Sequence, residues 1–313
     1  MILPTIKQLQ YLTALFEHGH FGKAAEACFV TQSTLSAGLR ELETALDAAL
    51  VERTKRVVRF TPLGEKIARK AYLVLREATE IAHLARAAGK PLAGELRLGV
   101  IPTIAPFFLP KVLPGLRAAY PELKLYLREE MSHVACDALA RGHVDCVLLA
   151  LPYPCGDVEV AELFDDTLVA AFHRQDLPAT TSAVLPSTLD NEHLLLLEDG
   201  HCLRDHSLAA CERPDLRGDR AILGTSLHTL VQMVDNRLGL TLLPQMAIDA
   251  GILEGTDVVT RPLASDHTTR RIALVWRRRS PRDEEFRLLA GFLRAAHDEL
   301  RTDAVAPATL AAV

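Results

Sequence analysis

An α+β chain with a helical, basic head and an α/β body is the architecture this sequence predicts, and three observations carry the reading. Apolar residues recur at helical spacing from residue 5 to about residue 90. Past Gly89-Lys-Pro-Leu-Ala-Gly94 the period changes to short apolar strands alternating with helices, the pattern of a parallel, doubly wound domain. Charge divides at the same place: residues 1–90 hold 13 Lys and Arg against 9 Asp and Glu, and the rest holds 22 against 31. A basic end on an acidic body suggests a polyanion-binding module joined to something else.

The elements follow in order. Thr5 can cap a helix whose apolar face is Ile6, Leu9, Leu12 and Leu15, and Gly19 ends it. A short Ala-rich helix from Lys23 to Cys28 and a turn through Phe29 and Val30 lead to Thr31. From Thr31 a helix runs through Leu35, Leu39, Leu42 and Leu46. Two short helices joined by a tight turn make a helix-turn-helix pattern. Residues 53–61 alternate basic and β-branched side chains and read as a wing. Thr61 and Pro62 then open a long helix with Ile67, Ala71, Val74, Ala78, Ile81 and Ala85 on one stripe. A long helix with one apolar stripe usually pairs with a copy of itself. In the body, strands are predicted at 96–100, 123–127, 145–151, 194–197, 221–223 and 240–243. A late strand at 271–276 and a closing helix at 282–300 complete it.

These elements divide the chain into a winged helix-turn-helix (1–61), a linker and dimerisation helix with its hinge (62–92), an effector domain of two subdomains (93–301) and an Ala-rich flexible tail (302–313). With 49% hydrophobic and 24% charged residues the composition is that of a globular protein. No apolar run approaches the ~20 residues of a membrane span, and the first residues turn polar too soon for a secretory signal. The expectation is a cytoplasmic protein with no membrane partner. Six cysteines in 313 residues are no disulfide framework, and in a reducing compartment a pair that does oxidise acts as a switch rather than a staple.

The first turn of the second helix of the motif carries Thr31, Gln32, Ser33, Thr34 and Ser36, with Arg40 further along. Gln can bond adenine bidentately, hydroxyls reach bases or phosphates, and Arg40 suits a phosphate or guanine. Hydroxyls at a helix start also serve as ordinary caps. The basic wing, with Arg53 and Arg56, and the dimerisation stripe favour double-stranded DNA as the partner.

These segments resemble the LysR-type transcriptional regulators. The match runs through Phe21-Gly-Lys-Ala-Ala-Glu-Ala-Cys, Thr31-Gln-Ser-Thr-Leu-Ser, Arg40-Glu-Leu-Glu, Leu50-Val-Glu-Arg53 and Thr61-Pro-Leu-Gly64, with Ser33 where that family usually has Pro. The resemblance implies a winged helix-turn-helix, a linker helix and an effector domain like the type 2 periplasmic binding proteins. It also implies a homotetramer built as a dimer of dimers, with RNA polymerase as a further partner.

In the body, Thr103, Ser132 and the pair His201-Cys202 each follow a strand, where open α/β sheets bind ligands at helix N-termini. That set suits a very small polar ligand, although for each Thr and Ser capping is the competing role. With Asp199 as cap, Cys202 falls in a first helical turn, which favours a thiolate. Cys146 and Cys28 read as core, while Cys136 and Cys155 are open. A zinc site from His201, Cys202, His206 and Cys211 lacks any paired short-spacing motif, so neither metal nor cofactor is expected.

The segment Leu194-Leu-Leu-Leu-Glu-Asp-Gly-His201-Cys202-Leu-Arg-Asp205-His-Ser-Leu-Ala-Ala-Cys211 is similar to the peroxide-sensing segment of the OxyR group within that family. The resemblance implies Cys202 as the thiol that peroxide oxidises and Cys211 as the thiol that resolves it to a disulfide. It also implies Thr103, Ser132, His201, Asp205 and Arg270 as the peroxide-binding and activating set. On one continuous helix, residues nine apart lie about 13 Å apart along the axis, whereas a disulfide needs Cα atoms within ~7 Å. Bridging would therefore refold the segment.

The sequence thus predicts a hydrogen peroxide-responsive transcription factor, not an enzyme. The alternative is a LysR-type regulator with an organic co-inducer in the cleft between subdomains. A thiol peroxidase would use the same cysteine but has no use for a basic DNA-binding end.

Overall fold

Thr5 and Gln8 close a capping box on α1 (Ile6–His18): the Gln8 amide donates to Thr5 Oγ1 at 3.2 Å and the Thr5 amide donates to Gln8 Oε1 at 2.9 Å. Gly19, at φ 60°, ends that helix. This computed structural model describes residues 3–53, 58–87, 91–177, 183–189, 193–213 and 223–305. The chain forms two compact units, residues 1–88 and 89–313.

In the first unit α2 (Phe21–Ala27) starts two residues earlier than the Ala-rich run suggested. The reason is His20, whose Nδ1 accepts the Gly22 and Lys23 amides and supplies the cap. Thr31 caps α3 (Gln32–Leu46) by accepting the Thr34 amide. Antiparallel strands β1 (Val51–Arg53) and β2 (Val58–Phe60) form the wing, with Val51 opposite Phe60. Its tip, including Arg56, lies outside the described residues, as does the Arg53 side chain. Thr61 Oγ1 accepts the Gly64 amide at 2.9 Å and starts α4 (Pro62–Ala87). Two glycines set the packing. A Cβ on Gly38 would sit 2.7 Å from the Tyr11 ring, and one on Gly64 would sit 2.0 Å from the Leu50 carbonyl oxygen. Leu12, Leu15, Leu35, Leu39, Leu42 and Leu50 make the core between these elements.

The second unit runs β3 (Gly94–Val100), α5 (Ala105–Ala119), β4 (Leu123–Glu129), α6 (Ser132–Arg141), β5 (Cys146–Leu151), β6 (Val158–His173), β7 (Leu196–Leu197), α7 (Cys202–Ala210), β8 (Leu223–Gly224), α8 (Leu227–Asp235), β9 (Thr241–Pro244), α9 (Gln245–Asp249), β10 (Val258–Pro262), β11 (Thr269–Arg277) and α10 (Asp283–Val305). Of the strand expected at 221–223, residues 221 and 222 lie outside the described residues. So do residues 88–90 of the hinge and residues 306–313 of the tail. α10 continues five residues past Leu300, so part of the expected tail is helical.

The sheet is mixed rather than parallel, which corrects the doubly wound reading. In the seven-stranded sheet only β4, β3 and β5 follow that rule, while β7 and β8 form a separate parallel pair. β11 lies antiparallel between β5 and β6, and β9 and β10 pair antiparallel with β6. Strand β6, absent from the sequence pattern, is 16 residues long and serves two cores. Its first part lies beside β11 and its second beside β9 and β10. Alternation in Val158–Glu162 gives way to an unbroken apolar run after Thr167, so no single period marks the strand. One core gathers Leu98, Phe108, Leu148, Trp276 and Phe286. The other gathers Phe172, Leu195, Leu208, Val234 and Leu242.

Candidate functional site

In the first unit the start of α3 presents a polar surface. Thr31, Gln32, Ser33, Thr34 and Arg40 are exposed and Ser36 is half-buried. Thr31 Oγ1 lies 2.8 Å from both Ser33 Oγ and Thr34 Oγ1, so these hydroxyls satisfy one another while the helix is unbound. The Arg40 Nε donates to the Ser36 carbonyl at 3.3 Å. Gln32 is the amide of this turn, with the paired donor and acceptor that reading an adenine edge requires.

In the second unit Cys202 is the first residue of α7 and is 2% exposed. Its amide donates to Ser132 Oγ at 3.3 Å, which brings the starts of α6 and α7 together. The approach is close: Gly200 adopts φ 102°, and a Cβ there would lie 2.8 Å from the His133 ring. On the other side stands Arg270, fully buried. Its guanidinium donates to Asp166 Oδ2 at 2.8 and 3.0 Å, to Thr103 Oγ1 at 2.9 Å and to the Thr103 carbonyl at 3.1 Å. Asp166 Oδ1 accepts the Met246 amide at 2.9 Å. Such a pair is tolerable inside a protein only because nearly every polar atom is bonded.

Burial pushes the Cys202 thiol up, against the helix-start expectation of a favoured thiolate. Ser132, the Arg270 charge and the Ala150 backbone pull it back down without overcoming desolvation. The thiol is stored protonated, beside a fixed cation and hydroxyls. Asp199 does not cap α7. It is 91% exposed on its side chain and pairs with Arg204 at 3.3 Å, while His201 holds the cap position through its backbone. The His201 Nε2 is buried with no hydrogen-bond partner, and burial lowers its pKa. A neutral imidazole with an open nitrogen beside Cys202 can accept or donate one hydrogen bond to a small ligand.

The structure therefore brings Thr103, Ser132, His201, Cys202 and Arg270 together, keeps Asp205 near enough for its charge to act on the Cys202 thiol, and holds Cys211 apart in the other core. Asp205 is on the exposed face of α7. Cys211 caps the far end of that helix, 1% exposed, and burial pushes its thiol up to about 11. Both thiols are free and they belong to different cores, Cys202 to the first and Cys211 to the second. The open pair Cys136 and Cys155 is joined in a disulfide. Among the described residues no group of three or more His, Cys, Asp and Glu is placed to hold a metal ion, and no helix is long and apolar enough to cross a membrane.

Sequence reasoning missed Asp166 as part of this site, and it weighed His206 only as a zinc ligand. Asp166 sits in the strand that the pattern did not reveal. His206 follows Cys202 by four residues, one helical turn, and that spacing was the available signal. Its Nε2 donates to the Pro152 carbonyl at 3.0 Å, which leaves Nδ1 as a buried acceptor without a partner.

Residues 6–65 match the bacterial regulatory helix-turn-helix protein, lysR family, and residues 89–298 match the LysR substrate binding domain. The chain belongs to the LysR family of bacterial transcription regulators. Within that family it is 40% identical over 292 residues to the HTH-type transcriptional regulator EstR of Acinetobacter baylyi, covering 93% of this chain and 97% of the relative. It is 39% identical over 290 residues to the hydrogen peroxide-inducible genes activator of Dickeya chrysanthemi, covering 92% and 94%. A full-length OxyR variant from Pseudomonas aeruginosa superposes with a TM-score of 0.75 at 33% identity, covering 94% of this chain and 96% of the other. This LysR-type regulator thus has both the DNA-binding and the effector halves of the family.

Proposed function

We propose that this LysR-type regulator senses hydrogen peroxide by oxidation of Cys202 and disulfide formation with Cys211. One observation carries the reading. A buried thiol at a helix start sits among Thr103, Ser132, His201 and Arg270, and a second free thiol sits at the other end of the same helix. The similarity to a hydrogen peroxide-inducible activator and to OxyR structures supports it.

In the reaction the Cys202 thiolate attacks one peroxide oxygen and the O–O bond breaks. The leaving hydroxide takes up a proton to become water, and the cysteine is left as a sulfenic acid. Arg270 and Ser132 favour the thiolate in the attack, and the hydroxyls and His201 hold the peroxide. Cys211 then attacks the Cys202 sulfur, releasing a second water and closing the bridge. Because α7 keeps the two sulfurs in separate cores, closure requires α7 to unwind, and the refolded segment is the signal passed to the DNA-binding half. The assembly that transmits it is a homotetramer on promoter DNA, with Thr31, Gln32, Ser33, Thr34, Ser36, Arg40, Arg53 and Arg56 at the interface and RNA polymerase recruited there.

Peptide mass analysis after brief exposure to peroxide tests the reading. Cys202→Ser should abolish the response, and Cys211→Ser should stop at sulfenic acid or oxidise further. Oxidation of Cys202→Ser as fast as wild type, or a new bridge between other cysteines, would sink it.

A second reading has its own support. A cavity of about 270 Å³ lined by Phe107, Phe164, Asp166, Met246 and His297 could seat an organic co-inducer, and the regulator is as similar to EstR as to the peroxide activators. A mass unchanged by one equivalent of peroxide would favour it.

A further inference from the structure

The disulfide between Cys136 and Cys155, with Cα atoms 5.2 Å apart, includes neither Cys202 nor Cys211. Its position is nevertheless tied to that site from both ends. Cys136 lies on α6, one turn after Ser132, and Ser132 Oγ accepts the Cys202 amide. Cys155 lies in the segment between β5 and β6. Both strands pair antiparallel with β11, so they point the same way: β5 ends opposite Arg271 and β6 begins opposite Arg277. Residues 152–157 must therefore run back along the sheet as an extended strap, at about 3.3 Å per residue.

That strap is bonded to α7, the helix that Cys202 begins. Its Pro152 carbonyl accepts His206 Nε2 from α7. Burial raises the hydroxyl pKa of its Tyr153, with Cys202 (once ionised), Asp205 and Asp137 adding to the rise. Pro152, Pro154, Gly156 and Asp157 are exposed, so of the strap residues Tyr153 and Cys155 are the ones packed against the core. One covalent bond thus joins the two elements between which Cys202 is buried.

We propose that Cys136 and Cys155 are a second, reversible thiol–disulfide couple that clamps the Cys202 pocket shut, with a dithiol reductant as its redox partner. Cys155 is the half-exposed member and Cys136 the buried one. A thiolate of the reductant attacks the Cys155 sulfur, the S–S bond breaks, and Cys136 leaves as a thiolate that takes up a proton. The second thiol of the reductant attacks the mixed disulfide and releases Cys155, so two electrons pass from dithiol to bridge. A disulfide oxidant closes the couple by the reverse steps. With the bridge open the strap opens locally, and Cys202 becomes reachable by reagents larger than water or peroxide. The inference goes beyond peroxide sensing and does not depend on what oxidises Cys202.

The experiment uses the full chain and measures the initial rate of iodoacetamide labelling at Cys202 by peptide mass analysis. Protein treated with oxidised glutathione and desalted should yield a linked Cys136–Cys155 peptide and slow labelling of the Cys202 that remains free. Dithiothreitol followed by desalting should raise the rate about tenfold, through local opening, and reoxidation should return it. The double variant Cys136→Ser, Cys155→Ser should label at the fast rate whether or not dithiothreitol was used. Absence of the linked peptide after oxidation, or equal labelling rates with the bridge open and closed, overturns the proposal. If the double variant fails to fold, the oxidised and reduced wild-type rates decide alone.

Discussion

Cys202 is governed by opposed demands. Packing at the foot of α7 wants a neutral thiol, whereas reaction with a peroxide wants a thiolate. Desolvation wins in the resting protein, and Ser132, Arg270 and the Ala150 backbone reduce its effect. The rate of Cys202 oxidation should therefore keep rising with pH beyond the ordinary thiol range, which stopped-flow peroxide kinetics between pH 7 and 10 would check. A plateau at or below the pH of a free thiol would contradict the burial argument. Cys211 makes the matching point for stability. Its folded pKa of about 11 lies above the ordinary value of 9.0, so over that interval the unfolded chain has lost a proton that the folded chain keeps. This contribution is fully present below pH 9 and is lost as pH climbs towards 11. The urea midpoint should fall across that window, and less steeply in Cys211→Ala. Equal slopes for the two proteins would remove Cys211 as the cause.

Helices α3 and α7 work in different ways. α3 is a rigid presenter. Its cap is satisfied by Thr31, its inner face is locked by Leu35, Leu39 and Leu42, and close contact at Gly38 sets its distance from Tyr11. The first turn of α3 is exposed, and base reading is the role proposed for it. Gln32→Ala should cost roughly 1–3 kcal/mol at the cognate site and relax base preference. Replacing Arg53 or Arg56 should weaken binding to all sequences alike and flatten its salt dependence. Fluorescence anisotropy on cognate and scrambled duplexes at several salt concentrations separates the two outcomes. Unchanged affinity in Gln32→Ala would remove the base-reading role. α7, by contrast, is short, has no side-chain N-cap bond and keeps one thiol in each of two cores. Short uncapped helices are held by their packing more than by their own propensity. α7 can therefore be exchanged for another arrangement once its packing is disturbed.

For the whole molecule the question is which apolar surface is left for association. On α4 the stripe divides. Ala68, Ala71 and Tyr72 pack into the core of the first unit, whereas Leu73, Val74 and Ile81 are 38%, 47% and 68% exposed. Water-facing apolar residues at helical spacing over a 26-residue helix suit a second copy of that helix. A fragment of residues 1–88, which forms a compact unit, should sediment as a dimer, and Ile81→Glu should shift it towards monomer. A fragment that stays monomeric at high concentration would refute α4 as the dimerisation element.

Local chemistry carried much of this protein into view from its sequence. Capping residues Thr5, Thr31 and Thr61, the stop at Gly19 and the paired basic strands act over a few residues, so they can be read from the chain. So could Thr103, Ser132 and Cys202, because the ends of strands and the starts of helices are where such groups meet. The long-range pairings were not legible. β6 changes its burial pattern halfway because it passes from one core to the other. Asp166 meets Arg270 across 104 positions of sequence, and Cys136 meets Cys155 only because the strap doubles back along the sheet. Whether a helix start would make Cys202 a thiolate was likewise a tertiary matter. The helix end offers its N–H groups wherever it lies, but the depth of burial, set by α6, the strap and β11, decides whether they outweigh the loss of water.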